Sequence, residues 1–176
     1  MLNLHLGCGN KYIPGFTHVD IRKFPHVDIV SSADDLNMFK AGTVDLIYAC
    51  HLLEHFGRRQ LSEVLKEWFR VLRPSGILRL AVPDFKAIVD AYAQYPLEKL
   101  LGLLVGGQTY EYNFHKCVFD FKYLESVLKT VGFTAVYRYD WKNTSHKDYD
   151  DLSQAYLPHM DKKNGRLMSL NIEAVK

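Results

Sequence analysis

The chain has 176 residues, 48% of them hydrophobic and 24% charged, with a formal net charge of +2. This suits one soluble globular domain spanning 1–176, large enough to bury a real core. So even a charge offers no footprint for a nucleic-acid partner, and no apolar run approaches the roughly 20 residues that span a bilayer.

Three cysteines, Cys8, Cys50 and Cys117, stand far apart with no C-x-x-C spacing. They read as reduced thiols rather than a disulfide framework or zinc site, and a cytoplasmic location is expected. The first strand pattern begins at about Leu2, which leaves no room for a targeting segment before it.

Leu2–Leu6 alternates apolar and polar residues and runs into Gly7, a strand entering a tight turn. Pro14-Gly15 marks a turn before a second short strand at 17–21, and a third is expected at 27–30. Residues 44–49 form a mostly apolar fourth strand of the buried parallel kind. Leu61, Val64, Leu65, Trp68, Phe69 and Leu72 then recur at helical spacing, with Trp68 and Phe69 read as core and Pro74-Ser75-Gly76 as the stop. A fifth strand at 77–82 ends at Pro83-Asp84. Helices are expected at about 85–95 and 97–105, the second opened by Pro96. Residues 106–116, rich in Gly, Tyr, Asn and His, read as a loop. Asp120 is expected to cap a helix ending at Gly132. A sixth strand at 133–141 comes next, and the alternation at 168–174 indicates a final strand with one covered face. Strands alternating with helices indicate a parallel α/β sheet, and the long link between the last two strands allows one of them to run antiparallel. Ligands of such sheets sit at the carboxyl ends of the strands, where the strand order reverses.

Gly7-x-Gly9 after a strand lets the backbone fold tightly and approach a ligand. A dinucleotide fingerprint would need a glycine where Tyr12 stands and an acid about 20 residues on. Asp20 lies only 11 residues after Gly9. A pyrophosphate on a long helix N-terminus is therefore poorly supported, and so is a nicotinamide oxidoreductase. Asp20, at the end of the second strand, can instead accept from both hydroxyls of one ribose, against the plainer alternative of a surface turn aspartate.

With these pieces in order, the sequence resembles the class I S-adenosylmethionine-dependent methyltransferases, most closely small bacterial and phage members of the "type 11" group. Leu4–Gly9 resembles that family's first motif and Val19-Asp20 its ribose-binding acid. Val44–His55 resembles its fourth strand and following helix, and Val71–Leu78 the signature before its fifth strand. The resemblance implies a Rossmann-like fold: one twisted, mostly parallel sheet of about seven strands, helices on both faces and an antiparallel C-terminal strand. It implies S-adenosylmethionine as cofactor and S-adenosylhomocysteine as product, with Gly7, Cys8, Gly9, Asp20, Ile21, Ser32, Ala33, Cys50 and His51 around them. Two positions depart from the family pattern: Lys11 replaces a third glycine, and Ser32 stands where an aspartate is more usual, with Asp34 as a substitute.

The sulfonium methyl is already activated, so the protein has chiefly to position the acceptor, with a base where an oxygen or nitrogen must lose its proton. His51, His55 and His115 are the candidate catalytic residues, with Asp84 also at a strand end. The alternative is that His51 and His55 only cap or pack the following helix. His51-x-x-Glu54-His55 also spells a zinc-peptidase pattern, but it follows a buried strand in a cofactor-binding context. Small-RNA ribose methyltransferases place a Glu/His cluster here. That raises a metal-assisted RNA alternative in which His51, Glu54, His55 and the distant His115 bind a divalent cation; the lack of basic surface opposes it, and no metal is expected. Residues 106–115 are the candidate acceptor loop and 151–159 a second polar-aromatic stretch able to close over the same cleft. The reading is O-methylation of a small or sugar-like acceptor, with a non-catalytic binding protein of the same fold as its competitor. The short chain leaves room for a partner subunit, and a homodimer is compatible with it.

Overall fold

A computed structural model describes all of residues 1–176. In chain order the elements are β1 (Asn3–Leu6), β2 (Thr17–Asp20), β3 (Ile29–Val30), β4 (Val44–Cys50), α1 (Leu61–Val71), β5 (Leu72–Pro83) and α2 (Phe85–Tyr92). They continue with α3 (Leu101–Val105), α4 (Phe121–Val131), β6 (Ala135–Arg138), β7 (Tyr156–Leu157), β8 (Arg166–Leu167) and β9 (Ser169–Val175). Seven strands form one sheet in the order β3-β2-β1-β4-β5-β9-β6, while β7 and β8 make a separate hairpin. β1 to β5 pair in parallel, and β9 runs antiparallel to both neighbours. This is the Rossmann-like class I methyltransferase arrangement. The strand order reverses between β1 and β4, so the loops after Leu6 and Cys50 open at the place where such sheets hold ligands.

α1 forms where Leu61, Val64, Leu65, Trp68 and Val71 line one face and are buried. Its stop differs from expectation. The chain leaves the helix at Leu72 and enters β5 at once, and Pro74-Ser75-Gly76 lies within that strand. The pairing of Val44 with Leu72 is followed by Leu46 with Ile77, so Arg73–Gly76 bulges from the ladder. Ser75 has φ +61 there. The Lys176 ammonium donates to the carbonyls of Phe69 at 2.5 Å and Leu72 at 2.7 Å, satisfying acceptors that the helix end leaves open. Phe69 is half-buried and meets Phe133 edge to face across the contact with α4. Asp120 caps α4 by accepting from the Tyr123 amide, and Gly132 at φ +125 ends it.

Several boundaries contract. The third strand keeps only Ile29–Val30 and the sixth only Ala135–Arg138, because pairing sets strand length and each of these edge strands has a single partner. The 85–95 helix ends at Tyr92, and 97–105 divides into a 3-10 turn (Leu97–Lys99) and α3. The alternation at the end of the chain predicts one covered face for β9; Ser169–Ala174 is instead buried throughout, since the strand lies inside the sheet.

The sheet's two faces differ. Leu4, Leu6, Ile47, Leu78, Leu80 and Ile172 join the helices in the main core. On the intervening positions the register aligns His18, His5, Tyr48, Arg79, Glu173 and Tyr137 as a polar row from β2 to β6. Arg79 and Glu173 pair at 2.7 Å, and the Tyr48 hydroxyl donates to Asp151 at 2.6 Å. His146 packs on Tyr48 with ring centres 4.3 Å apart. No helix is long and apolar enough to cross a membrane.

Candidate active site

The turn after β1 is built by two glycines with φ +59 at Gly7 and +55 at Gly9, a region in which side chains are strained. The Gly7 amide donates to the Val19 carbonyl at 2.8 Å, tying the turn to β2. Asp20, 5% exposed, braces the turn from the end of β2. One carboxylate oxygen accepts from the Gly9 amide at 2.7 Å and the other from the Arg22 amide at 2.8 Å. No helix stands between β1 and β2, so no helix N-terminus is available to a pyrophosphate there.

Two cavities open beside this turn. The first, about 280 Å³, is lined by Gly7, Gly9, Asp20, Ile21, Ser32, Ala33 and His51, residues that the family resemblance assigns to the cofactor. Cys8 and Cys50 line the second instead, about 630 Å³. Cys8 is buried, and that burial pushes its thiol up to about 12. The Ser32 hydroxyl donates to the Asp34 carboxylate, a short contact that joins the two candidates for the adenine amino group. The Ala33 carbonyl accepts from the buried Trp68 indole at 2.7 Å, anchoring this segment to α1. Arg22, Tyr110 and Tyr112 also line the first cavity, where no sequence pattern places them. The Arg22 guanidinium lies 4.3 Å from the Tyr110 ring centre and 4.9 Å from that of Phe24, which brings the 106–116 loop over the cavity mouth. An arginine two residues past an acid is a weak signal, and nothing local in the sequence links it to residue 110.

Gly7, Gly9, Arg22, His51, His55 and Tyr110 are common to both cavities, so the two meet there. The second extends between Tyr110 and Asn113 of the candidate acceptor loop and Asp151, Gln154, Tyr156 and His159 of the second polar-aromatic stretch. Asp84 lies elsewhere: it caps α2, accepting from the Lys86 amide at 3.0 Å.

At the junction the chain leaves β4 through His51, whose φ is +49, and forms a 3-10 turn over Leu53–His55. Glu54 is 0% exposed, and neither carboxylate oxygen has a hydrogen-bond partner. His51 Nδ1 stands 3.4 Å from Glu54 Oε1 and His115 Nε2 3.9 Å from it. The Glu54 carbonyl accepts from the Lys116 and Cys117 amides, which holds the end of the loop, and with it His115, against this turn. His55 and His115 stack edge to face at 4.9 Å. The structure thus brings all three candidate histidines around one carboxyl. Burial pushes Glu54 up to about 8 and His51 down to about 3, with His115 and His55 adding to the latter; burial also lowers His55 and His115. The imidazoles are neutral near pH 7 and keep lone pairs.

Residues 8–80 match the protein family described as a methyltransferase domain. The fold is shared with a S-adenosylmethionine-dependent methyltransferase from Archaeoglobus fulgidus (16% identity, TM-score 0.59, 99% of this chain and 85% of that one covered). It is shared too with one from Thermotoga maritima (13% identity, TM-score 0.60, 99% and 82% covered). A third is a Burkholderia thailandensis 1,6-didemethyltoxoflavin-N1-methyltransferase with bound 1,6-didemethyltoxoflavin and S-adenosylhomocysteine (14% identity, TM-score 0.60, 99% and 70% covered). No curated protein matches the sequence. The match over 8–80 to a methyltransferase domain and the class I methyltransferase fold together support an enzyme whose cofactor is S-adenosylmethionine. The first cavity suits that cofactor, with a buried carboxylate facing a glycine turn and no phosphate subsite to fill.

Proposed function

We propose that the enzyme transfers the methyl group of S-adenosylmethionine to an oxygen of a small, polar, sugar-like acceptor held in the second cavity. One observation carries this reading: the two cavities join at Gly7, Gly9, His51 and His55, so a sulfonium in the first faces an acceptor in the second. Asp20 holds the ribose hydroxyls with the lone pairs that Gly9 and Arg22 leave over. Ser32, Ala33 and Asp34 border the adenine, and the His51 backbone closes the methionine end.

The acceptor wall combines apolar faces with hydrogen-bonding groups, Tyr110, Asn113, Gln154 and Tyr156 among them, which suits a hydroxylated ligand. Transfer breaks the sulfur–methyl bond, forms an oxygen–methyl bond and releases the acceptor proton. His55 reaches both cavities as a neutral imidazole and receives that proton. Calorimetry with S-adenosylmethionine and S-adenosylhomocysteine, followed by turnover against sugars and small alcohols, tests the proposal. Cofactor binding with methyl transfer only to nitrogen or carbon acceptors would overturn the oxygen assignment.

A further inference from the structure

Arg22 stands where the two cavities meet, and its surroundings fix it there. The guanidinium lies 4.9 Å from the Phe24 ring centre and 4.3 Å from that of Tyr110, and its Nε stands 3.9 Å from Asp20 Oδ1. Nη2 lies over the glycine turn, 3.8 Å from the place that a β-carbon at Gly9 would take. The rings offer only their faces, and the Asp20 oxygens are turned to the Gly9 and Arg22 amides. A planar fork held in this way keeps its N–H donors for a carboxylate or phosphate.

Charge points the same way. Lys11, from the turn after β1, and Lys99, from the 3-10 turn before α3, line the second cavity with Arg22, and neither lysine enters an ion pair. Two acids line it too, and both are engaged within the protein. Asp150 pairs with Lys162 at 2.9 Å. Asp151 accepts from the Tyr48 hydroxyl at 2.6 Å through one oxygen and from the Ser153 amide at 2.9 Å through the other. Burial keeps the imidazoles at the junction neutral and pushes Glu54 up to about 8, so that its carboxyl is mostly protonated near pH 7. A sulfonium in the first cavity adds a further positive charge, and the acceptor side is left with a surplus of it.

We propose that Arg22, with Lys11 and Lys99, binds an anionic group of the acceptor, so that the substrate class is a sugar acid or sugar phosphate rather than a neutral sugar. This inference rests on the methyl-transfer reading. The anion serves as a handle and leaves the reaction unchanged, while a hydroxyl of the same molecule receives the methyl group. The sulfur–methyl bond breaks, the oxygen–methyl bond forms, and the hydroxyl proton is released as before. A neutral sugar filling the same space would strip water from the guanidinium without pairing its donors, which costs affinity.

Calorimetry on the full chain saturated with S-adenosylhomocysteine tests the inference, with glucuronate, glucose-6-phosphate and glucose as probes. At least one of the two anions should bind about 10-fold or more tightly than glucose, and the stronger of them separates carboxylate from phosphate. Arg22→Gln should abolish that preference. The double variant of Lys11→Gln with Lys99→Gln changes only exposed side chains, should reduce the preference, and serves if Arg22→Gln fails to fold. Anions that bind no better than glucose, or folded variants that keep the preference, would overturn the proposal. So would an Arg22→Gln protein that loses S-adenosylhomocysteine as strongly as it loses the anion, because the guanidinium would then belong to the methionine carboxylate of the cofactor. The two readings fail separately: cofactor bound without any anion preference leaves methyl transfer standing and removes only the handle, whereas no cofactor binding at all rejects methyl transfer itself.

Discussion

Leu52 occupies the space that a side chain at Gly7 would need: a β-carbon there would lie 2.6 Å from Leu52 Cδ1. The turn after β1 and the turn after β4 are therefore fitted to each other across the point where the sheet reverses. Gly7→Ala should weaken S-adenosylhomocysteine binding about 10-fold or more, from backbone strain of about 1–2 kcal/mol together with the clash. The double variant with Leu52→Ala relieves the clash and keeps the strain, so calorimetry should show partial recovery. Full recovery would mean that φ +59 at Gly7 carries no cost.

Asp20 holds the backbone amides of Gly9 and Arg22 with separate oxygens. Asp20→Ala should lower stability by about 1–3 kcal/mol, because two donors lose a charged acceptor, and should weaken the cofactor as well. Asp20→Asn retains one acceptor and should fall between. Denaturant titration and calorimetry check both effects. An alanine variant with unchanged cofactor affinity would remove Asp20 from the ribose site.

Trp68→Phe leaves the Ala33 carbonyl without its 2.7 Å partner while nearly filling the same space. The expected cost is about 1–3 kcal/mol, or about 2–4 °C in melting temperature for each kcal/mol. Because Ala33 borders the first cavity, cofactor affinity should fall in parallel, which distinguishes this change from a loss of core packing remote from the site.

The polar row adds a pH dependence of its own beside those of His51 and Glu54. Burial lowers His5 to about 3, with His18, His146 and His26 contributing, and burial with Arg79 lowers His146 to about 4 against the opposing pull of Asp151 and Glu173. Both rings are neutral in the folded chain, whereas the unfolded chain protonates them near 6.5. The unfolded state therefore binds more protons below that pH. Stability is full above about 6.5 and falls on acidification toward pH 4 by up to about 1.4 kcal/mol per pH unit for each histidine. Urea titrations at pH 7.5, 6.0 and 5.0 should show the midpoint declining through a window in which ordinary carboxylates hardly titrate. An unchanged midpoint would show that these histidines are not buried neutral.

Chain order, the glycine turn and the early acid are legible in sequence because each is a local pattern: two glycines after a strand, Asp20 at the next strand end, apolar residues at helical spacing. Register is not. The alternation that marks β1 puts His5 on the face opposite Leu4 and Leu6, but only pairing across the sheet reveals that it meets His18 and Tyr48 and that Arg79 and Glu173 continue the row. The strand-like start of β5 is hidden behind Pro74 and Gly76, since a bulge and a helix stop use the same residues. Cys8 stands between two glycines of the turn after β1, yet the positive φ values on either side carry it to the second cavity. His115 belongs to a loop marked only by its polar and aromatic composition. A pair of backbone amides at residues 116 and 117 fixes it beside Glu54, and no side-chain pattern encodes that.

β9 pairs with β5 and β6 along both of its sides, yet it is made after both of them. During synthesis the ribosome releases β5 with one edge exposed, and that edge stays open until Ser169 and the residues beyond it emerge. A nascent chain in that interval offers an unpaired row of amides and carbonyls to any strand nearby. The sheet can close only by threading its latest segment between two earlier ones, a contact pattern of high sequence separation that slows folding. Shielding of that gap while the chain grows would thus limit mispairing at the β5 edge.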